Sequence, residues 1–200
     1  MITLKNPFKT ALIALAGSVF ATVAAAGTPT PVLMPPFAEK PADIVAPAAA
    51  GACSIRFTAL TDERHDLKTI GIAANRPVLS PDDTQAWLKG ILGGLPARGI
   101  TPVFDAPADA GAAADTTPAV KLKLKLVWLT PVAIDFSANV VMSIDASTAD
   151  GRTLTKSYRG QIAAMNMANG TGEMTSAINR AFGDALNKMA PDLQGLCHPA

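Results

Sequence analysis

The stretch "DERHD", residues 62–66, holds the densest set of chemically capable side chains in the sequence. Asp62, Glu63, His65 and Asp66 are residue types that ligate metals or exchange protons as acid and base. Their spacing is that of a charged turn between two strands, and the other histidine, His198, stands far away beside a terminal cysteine. The turn reading therefore leads: Asp62 would accept hydrogen bonds from turn amides, and Arg64 would lie across a neighbouring carboxylate. Serine-hydrolase chemistry lacks its Gly-x-Ser-x-Gly elbow. Gly90, Gly93 and Gly94 sit in a helical stretch rather than after a strand, so they cradle no phosphate. No catalytic, cofactor-binding or metal residue is assigned, no cofactor is expected, and the chain is expected not to be an enzyme.

Two further sets could do chemistry. Cys53 and Cys197 are the cysteines of the chain, and they lack the neighbours that a metal, haem, redox or nucleophilic site needs. A single disulfide is the expectation. In "AVKLKLKLVWL", residues 119–129, Lys121, Lys123 and Lys125 occupy every second position, which places them on one side of a strand. With Lys156 and Arg159 from a nearby strand they form a possible anion or partner surface. Asp135 and Asp145 on the strand between could neutralise it across the pairing. A solvated face, defended by lysine against edge aggregation, is the blander alternative.

The elements that must position these residues follow from periodicity. "CSIRFTAL" from Cys53 alternates as a half-buried strand, and "LKTIGIA", residues 67–73, resumes as a second. Ser80 as N-cap and Pro81 at the first helical position predict a helix over 81–97, with Trp87, Leu88, Ile91, Leu92 and Leu95 on its apolar face and Gly99 as its stop. "ITPVF" is a weak strand. The lysine strand comes next, committing Leu122, Leu124 and Leu126 to the core. Ile134 to Ile144 alternate in a following strand, Asp150 and Gly151 mark a tight hairpin, and "TLTKSYRGQIAAM" completes a meander. Apolar residues from Met174 to Met189 keep a three-and-four rhythm, predicting a helix over 171–189 that Pro191 ends. Two amphipathic helices need one apolar sheet face, so the expected fold class is α+β: an antiparallel sheet with both helices packed on one face.

The chain begins with Lys5 and Lys9, an uncharged apolar run, and small residues ending at Ala26, the order of a cleavable signal peptide over residues 1–26. The run is short and interrupted, so no transmembrane span is expected after cleavage. With no cysteine at that boundary to accept a lipid, the expected product is soluble in the periplasm, which also suits a disulfide. Residues 27–52 carry prolines 29, 31, 35, 36, 41 and 47 and read as a disordered tether, leaving 53–200 as a single domain. The full chain has 17 basic against 16 acidic residues, and loss of Lys5 and Lys9 leaves 15 against 16. Such a balance argues against nucleic acid as a partner.

The stretch "TDERHDLKTIG", residues 61–71, resembles the Asp-x-Arg motif of the YajG-like proteins, a family of bacterial envelope lipoproteins, and "LTKSYRG", residues 154–160, resembles that family's Tyr-Arg strand after a hairpin. The order of elements and the final "INRAFGDALNKM" helix agree. The resemblance implies structural roles for Asp62, Arg64, Tyr158 and Arg159 and an envelope address. It departs in lacking the lipid-acceptor cysteine. The reading is a non-enzymatic cell-envelope accessory protein that binds an unknown envelope protein or lipid. The alternative is an auxiliary subunit of an envelope transport or cell-wall assembly machine, docked through a sheet edge.

Overall fold

The computed structural model describes residues 30–45, 53–73, 75–104, 116–165 and 170–197. The expected signal peptide, His198 and most of the loop before the lysine strand lie outside these residues. The elements in chain order are β1 (Val32–Leu33), β2 (Cys53–Asp62), β3 (Thr69–Ala73), β4 (Arg76–Leu79), α1 (Thr84–Leu92), β5 (Ile100–Phe104), β6 (Ala119–Val132), β7 (Asp135–Ser147), β8 (Thr153–Met165) and α2 (Thr171–Cys197).

Strand β6 is the axis of one eight-stranded sheet. β7 runs antiparallel along the whole of one edge, from Ala119↔Ser147 to Val132↔Asp135, and β8 follows β7. The other edge is shared: β2 lies parallel beside residues 119–124, and β3 meets β6 at Leu129. β5 adds parallel to β2, β4 antiparallel to β3, and β1 parallel to β4. The sheet is therefore mixed, not antiparallel as expected. Hairpins are local and leave turn residues such as Asp150 and Gly151. Parallel pairs such as β2 and β6 join strands separated by a long crossover, which leaves no local mark.

Both helices cover the same face. α2 lies over β8 and β7, α1 packs on β2, and Trp87 of α1 meets Phe182 of α2 edge to face at 5.1 Å. The core beneath them holds Leu122, Leu124, Leu129, Phe136, Val140, Met142 and Ile144, all fully buried. Gly160 lets α2 lie directly on β8, because a Cβ there would overlap the carbonyl oxygen of Ala181. Gly160→Ala is expected to cost about 2 kcal/mol in urea unfolding, since the obstacle is helix backbone that cannot rotate away.

The helix ends differ from the expectation. α1 starts at Thr84, not 81, and its N-cap is Asp83, whose side chain accepts from the Ala86 amide at 2.8 Å, rather than Ser80. Ser80 instead accepts from Arg64 Nη2 at 3.0 Å. α2 runs through Pro191 to Cys197. Proline inside a helix costs about 3 kcal/mol, but Pro191 faces solvent while Leu193 and Leu196 beyond it are buried. The last turn is held further. Arg152 donates to the carbonyls of Gly195 and Leu196, both at 3.1 Å, and Cys197 is bonded to Cys53 with an S–S distance of 2.06 Å. The expected disulfide thus ties β2 to the end of α2.

Residues 30–45, expected within a disordered tether, form a strap packed on the helices. Val32 and Met34 are buried, and Phe37 meets Phe182 edge on at 6.4 Å. At its centre Glu39 enters a slot beside Gly183, where a Cβ would strike its carboxylate. There it meets Arg98, which is fully buried. Arg98 Nη1 donates to Glu39 Oε2 at 2.9 Å and to the Gly94 carbonyl at 2.8 Å. Nη2 donates to Glu39 Oε1 at 2.5 Å and to the Gly183 carbonyl at 3.3 Å, and Nε to Asn187 Oδ1 at 2.8 Å. Every donor of the guanidinium is matched, which is the condition under which a buried ion pair is tolerated. Asn187 also binds the strap, accepting from the Val45 amide and donating to the Asp43 carbonyl.

Candidate interaction face

The face of the sheet away from the helices carries the lysine strand, and a β-bulge divides it. Up to Leu124, β6 alternates as expected, with Val120, Leu122 and Leu124 inward. Between Leu124 and Leu126 the register with β7 slips by one residue. A one-residue slip reverses the facing of every later side chain. Leu126, expected in the core, therefore turns outward beside Lys125, and Trp128 and Val132 follow it while Val127 and Leu129 go in. Leu126 is 39% exposed, Trp128 37% and Val132 55%. Ile72 of β3, 48% exposed, joins them through the Gly71↔Leu129 pairing, and Ile134 projects from the turn between β6 and β7. One strand thus carries cations on its first half and an apolar stripe on its second, both on the open face.

The cations are largely engaged. Lys123 Nζ lies 2.8 Å from Asp145 Oδ2, and Lys125 pairs with Glu63. The Asp145 hydrogen bond raises Lys123 above the ordinary lysine range, and Lys123 followed by the Thr155 hydroxyl holds Asp145 below the ordinary carboxylate range. Lys121 is exposed near Asp145. Arg159 lies across from Val141 and donates to Asn139 Oδ1 at 2.7 Å, next to Trp128. Lys156 does not belong to this surface. It sits on the helix side of β8, where its Nζ binds Asp192 Oδ2 of α2 at 2.6 Å. Alternation explains this, since Lys156 and Arg159 differ in parity. Because these ion pairs are exposed and salt-screened, changing Lys121, Lys123 and Lys125 together to Gln is expected to leave the urea midpoint close to that of the parent.

The polar cluster at 62–66 behaves as a turn. Asp62 accepts from Arg64 Nε at 2.8 Å and Nη2 at 2.5 Å as well as from the Arg64 amide. Burial pushes the Asp62 carboxyl up, but the Arg64 bonds outweigh it and hold the group below its ordinary range. Asp66 accepts from the Lys68 and Thr69 amides, both at 2.8 Å, while His65 is exposed. Glu63 is spent on Lys125. Among the described residues no group of three or more His, Cys, Asp or Glu could hold a metal ion. Tyr158 donates to Asp192 Oδ2 at 2.9 Å, and burial together with that carboxylate raises its hydroxyl well above the usual range. Asp62, Arg64 and Tyr158 are thus held in hydrogen bonds within the fold, while Arg159 borders the open face.

The apolar stripe is hidden from a simple alternation count, which puts Leu126 and Trp128 inward. Val127 and Leu129 could have signalled it: apolar residues that take over the parity of the lysines mark a change of side along the strand. A separate cleft of about 280 Å³ opens between the strap and α1, walled by Pro35, Pro36, Phe37, Pro81 and Trp87.

No protein-family model and no curated protein matches the chain. The YajG-like resemblance therefore rests on its two short stretches. Several solved structures are similar to the chain at low identity. A DUF330 protein from Xanthomonas campestris is 9% identical with a TM-score of 0.44, covering 80% of this chain and 91% of that one. A lipoprotein from Neisseria meningitidis is 14% identical with a TM-score of 0.34, covering 63% of this chain and 94% of that one. A minor lipoprotein from Acinetobacter baumannii is 9% identical with a TM-score of 0.32, covering 69% of this chain and 90% of that one. Among the described residues, no helix is long and apolar enough to cross a membrane.

Proposed function

We propose that the chain is an exported cell-envelope accessory protein without catalytic activity, binding a protein or lipid partner through the open face of its sheet. The observation that carries this reading is the grouping of Leu126, Trp128, Val132 and Ile72 on a face that neither helix covers. Apolar side chains of that size gathered together at a surface mark a contact site. The leader-like order of residues 1–26 and the Cys53–Cys197 bond support export to an oxidising compartment. The engagement of Asp62 and Asp66 within their own turn, and of Glu63 by Lys125, supports binding over catalysis.

A photo-crosslinking residue at position 126 or 128 tests the reading in cells. Adducts are expected there and not at Lys188 on α2. A second reading, an auxiliary subunit of an envelope transport or cell-wall machine docked through a sheet edge, is favoured by β8. Among the described strands β8 pairs with β7 alone, and α2 covers the middle of its other edge through Asp184 on the Gln161 amide and Lys188 on the Arg159 carbonyl. Adducts at Ala163 and none at 126 or 128 would select that reading.

A further inference from the structure

We infer that the open face docks on an anionic lipid surface, with the turn between β6 and β7 and the stripe behind it entering the headgroup region while the lysine row meets lipid phosphate. The inference rests on the open-face reading and names its partner. Three observations separate a lipid from a protein partner.

The first is the kind of cation. Lys121, Lys123 and Lys125 stand in a row on the strand that carries Leu126 and Trp128, with Arg159 two strands away and level with Leu126. Lysine is depleted in protein–protein interfaces, whereas lysines flanking tryptophan and leucine are the composition of surfaces that lie in the lipid interface. The second is the arrangement along β6. Exposure rises from Trp128 at 37% to Val132 at 55% and Ile134 at 70% at the turn. The apolar groups thus become freer toward one end, and the lysines occupy the other. From Lys121 to Val132 the strand spans roughly 36 Å at about 3.3 Å per residue, with Ile134 beyond it in the turn. A tilted sheet would place the turn among acyl chains and the lysine row at phosphate level. A small ligand could not engage both halves at once.

The third is charge. Glu63, Asp135 and Asp145 share this face with the cations, and exposed pairs such as Lys123–Asp145 and Lys125–Glu63 are held weakly. The lysines can therefore exchange these partners for lipid phosphates at little loss. Trp128 adds an amphipathic ring suited to the boundary between headgroups and acyl chains.

The test uses the full chain with vesicles of phosphatidylglycerol mixed with phosphatidylcholine, against vesicles of phosphatidylcholine alone. Co-sedimentation is expected with the anionic vesicles and is expected to weaken with salt. Changing Lys121, Lys123 and Lys125 to Gln should lower partitioning about tenfold, and Trp128→Ser with Ile134→Ser should lower it at least as much. In a Trp87→Phe variant, fluorescence of Trp128 should be quenched by brominated acyl chains. No sedimentation with anionic vesicles, or sedimentation without quenching, overturns the inference. Protein adducts at position 126 or 128 combined with no vesicle binding would end the lipid assignment and leave the open-face reading standing. Absence of any adduct at those positions would end both.

Discussion

Arg98→Ala is expected to lower unfolding free energy by about 3 to 5 kcal/mol, because it leaves the Glu39 carboxylate buried with no countercharge. Arg98 is fully enclosed and Glu39 lies in a slot formed by Gly94 and Gly183. The loss should reach beyond the pair. Glu39 is the anchor of the strap, so Met34 and Phe37 should come away from the helices together with it. Glu39→Ala is expected to cost a similar amount, since it strands the guanidinium instead. The double variant Glu39→Leu with Arg98→Met should recover most of the stability, as apolar replacements of a buried pair commonly do. Urea unfolding of the four proteins measures this directly. A double variant no better than either single change would show that the hydrogen bonds to Asn187 and the Gly94 carbonyl, rather than the charges, hold the strap.

Removing the Cys53–Cys197 bond is the second large effect. The two residues are 144 apart in sequence. Opening a loop of that size restores much denatured-state freedom, and Cys53→Ala with Cys197→Ala is expected to cost about 2 to 5 kcal/mol. The damage should not be uniform. The turn of α2 beyond Pro191 is interrupted by a residue that donates no backbone hydrogen bond and is held from outside by Arg152 and by the disulfide. Amide hydrogens of residues 193–197 should therefore exchange faster in the double variant while those of β6 and β7 stay protected. Uniform loss of protection across the sheet would mean that the bond acts through the denatured state alone.

These effects mark where the sequence was readable and where it was not. The alternation of β2 up to Phe57, the rhythm of Met174 to Met189, the turn at Asp150 and Gly151 and the cysteine pair each leave a local signal and stand in the structure; past Phe57 a bulge in β2 turns Leu60 inward in place of Ala59. The parallel neighbours of β6 leave none, because pairing across a crossover depends on chain path rather than adjacent residues. The strap was obscured for a related reason. Its prolines read as disorder, yet proline only removes donors and stiffens the chain, and both are compatible with packing against helices. Glu39 and Arg98 are 59 residues apart and lie in stretches with no period. Leu126 was placed inward because alternation was followed through a bulge, and a bulge changes the count without changing residue types.

The bulge in β6 turns Leu126 out beside Trp128 and so makes an apolar surface on the open face. Maleimide labelling of Leu124→Cys, Leu126→Cys and Trp128→Cys in the folded protein tests it without knowledge of any partner. The structure predicts rapid modification at 126 and 128 and protection at 124. Protection at 126 equal to that at 124 would mean that the strand alternates without interruption, and the account would be contradicted.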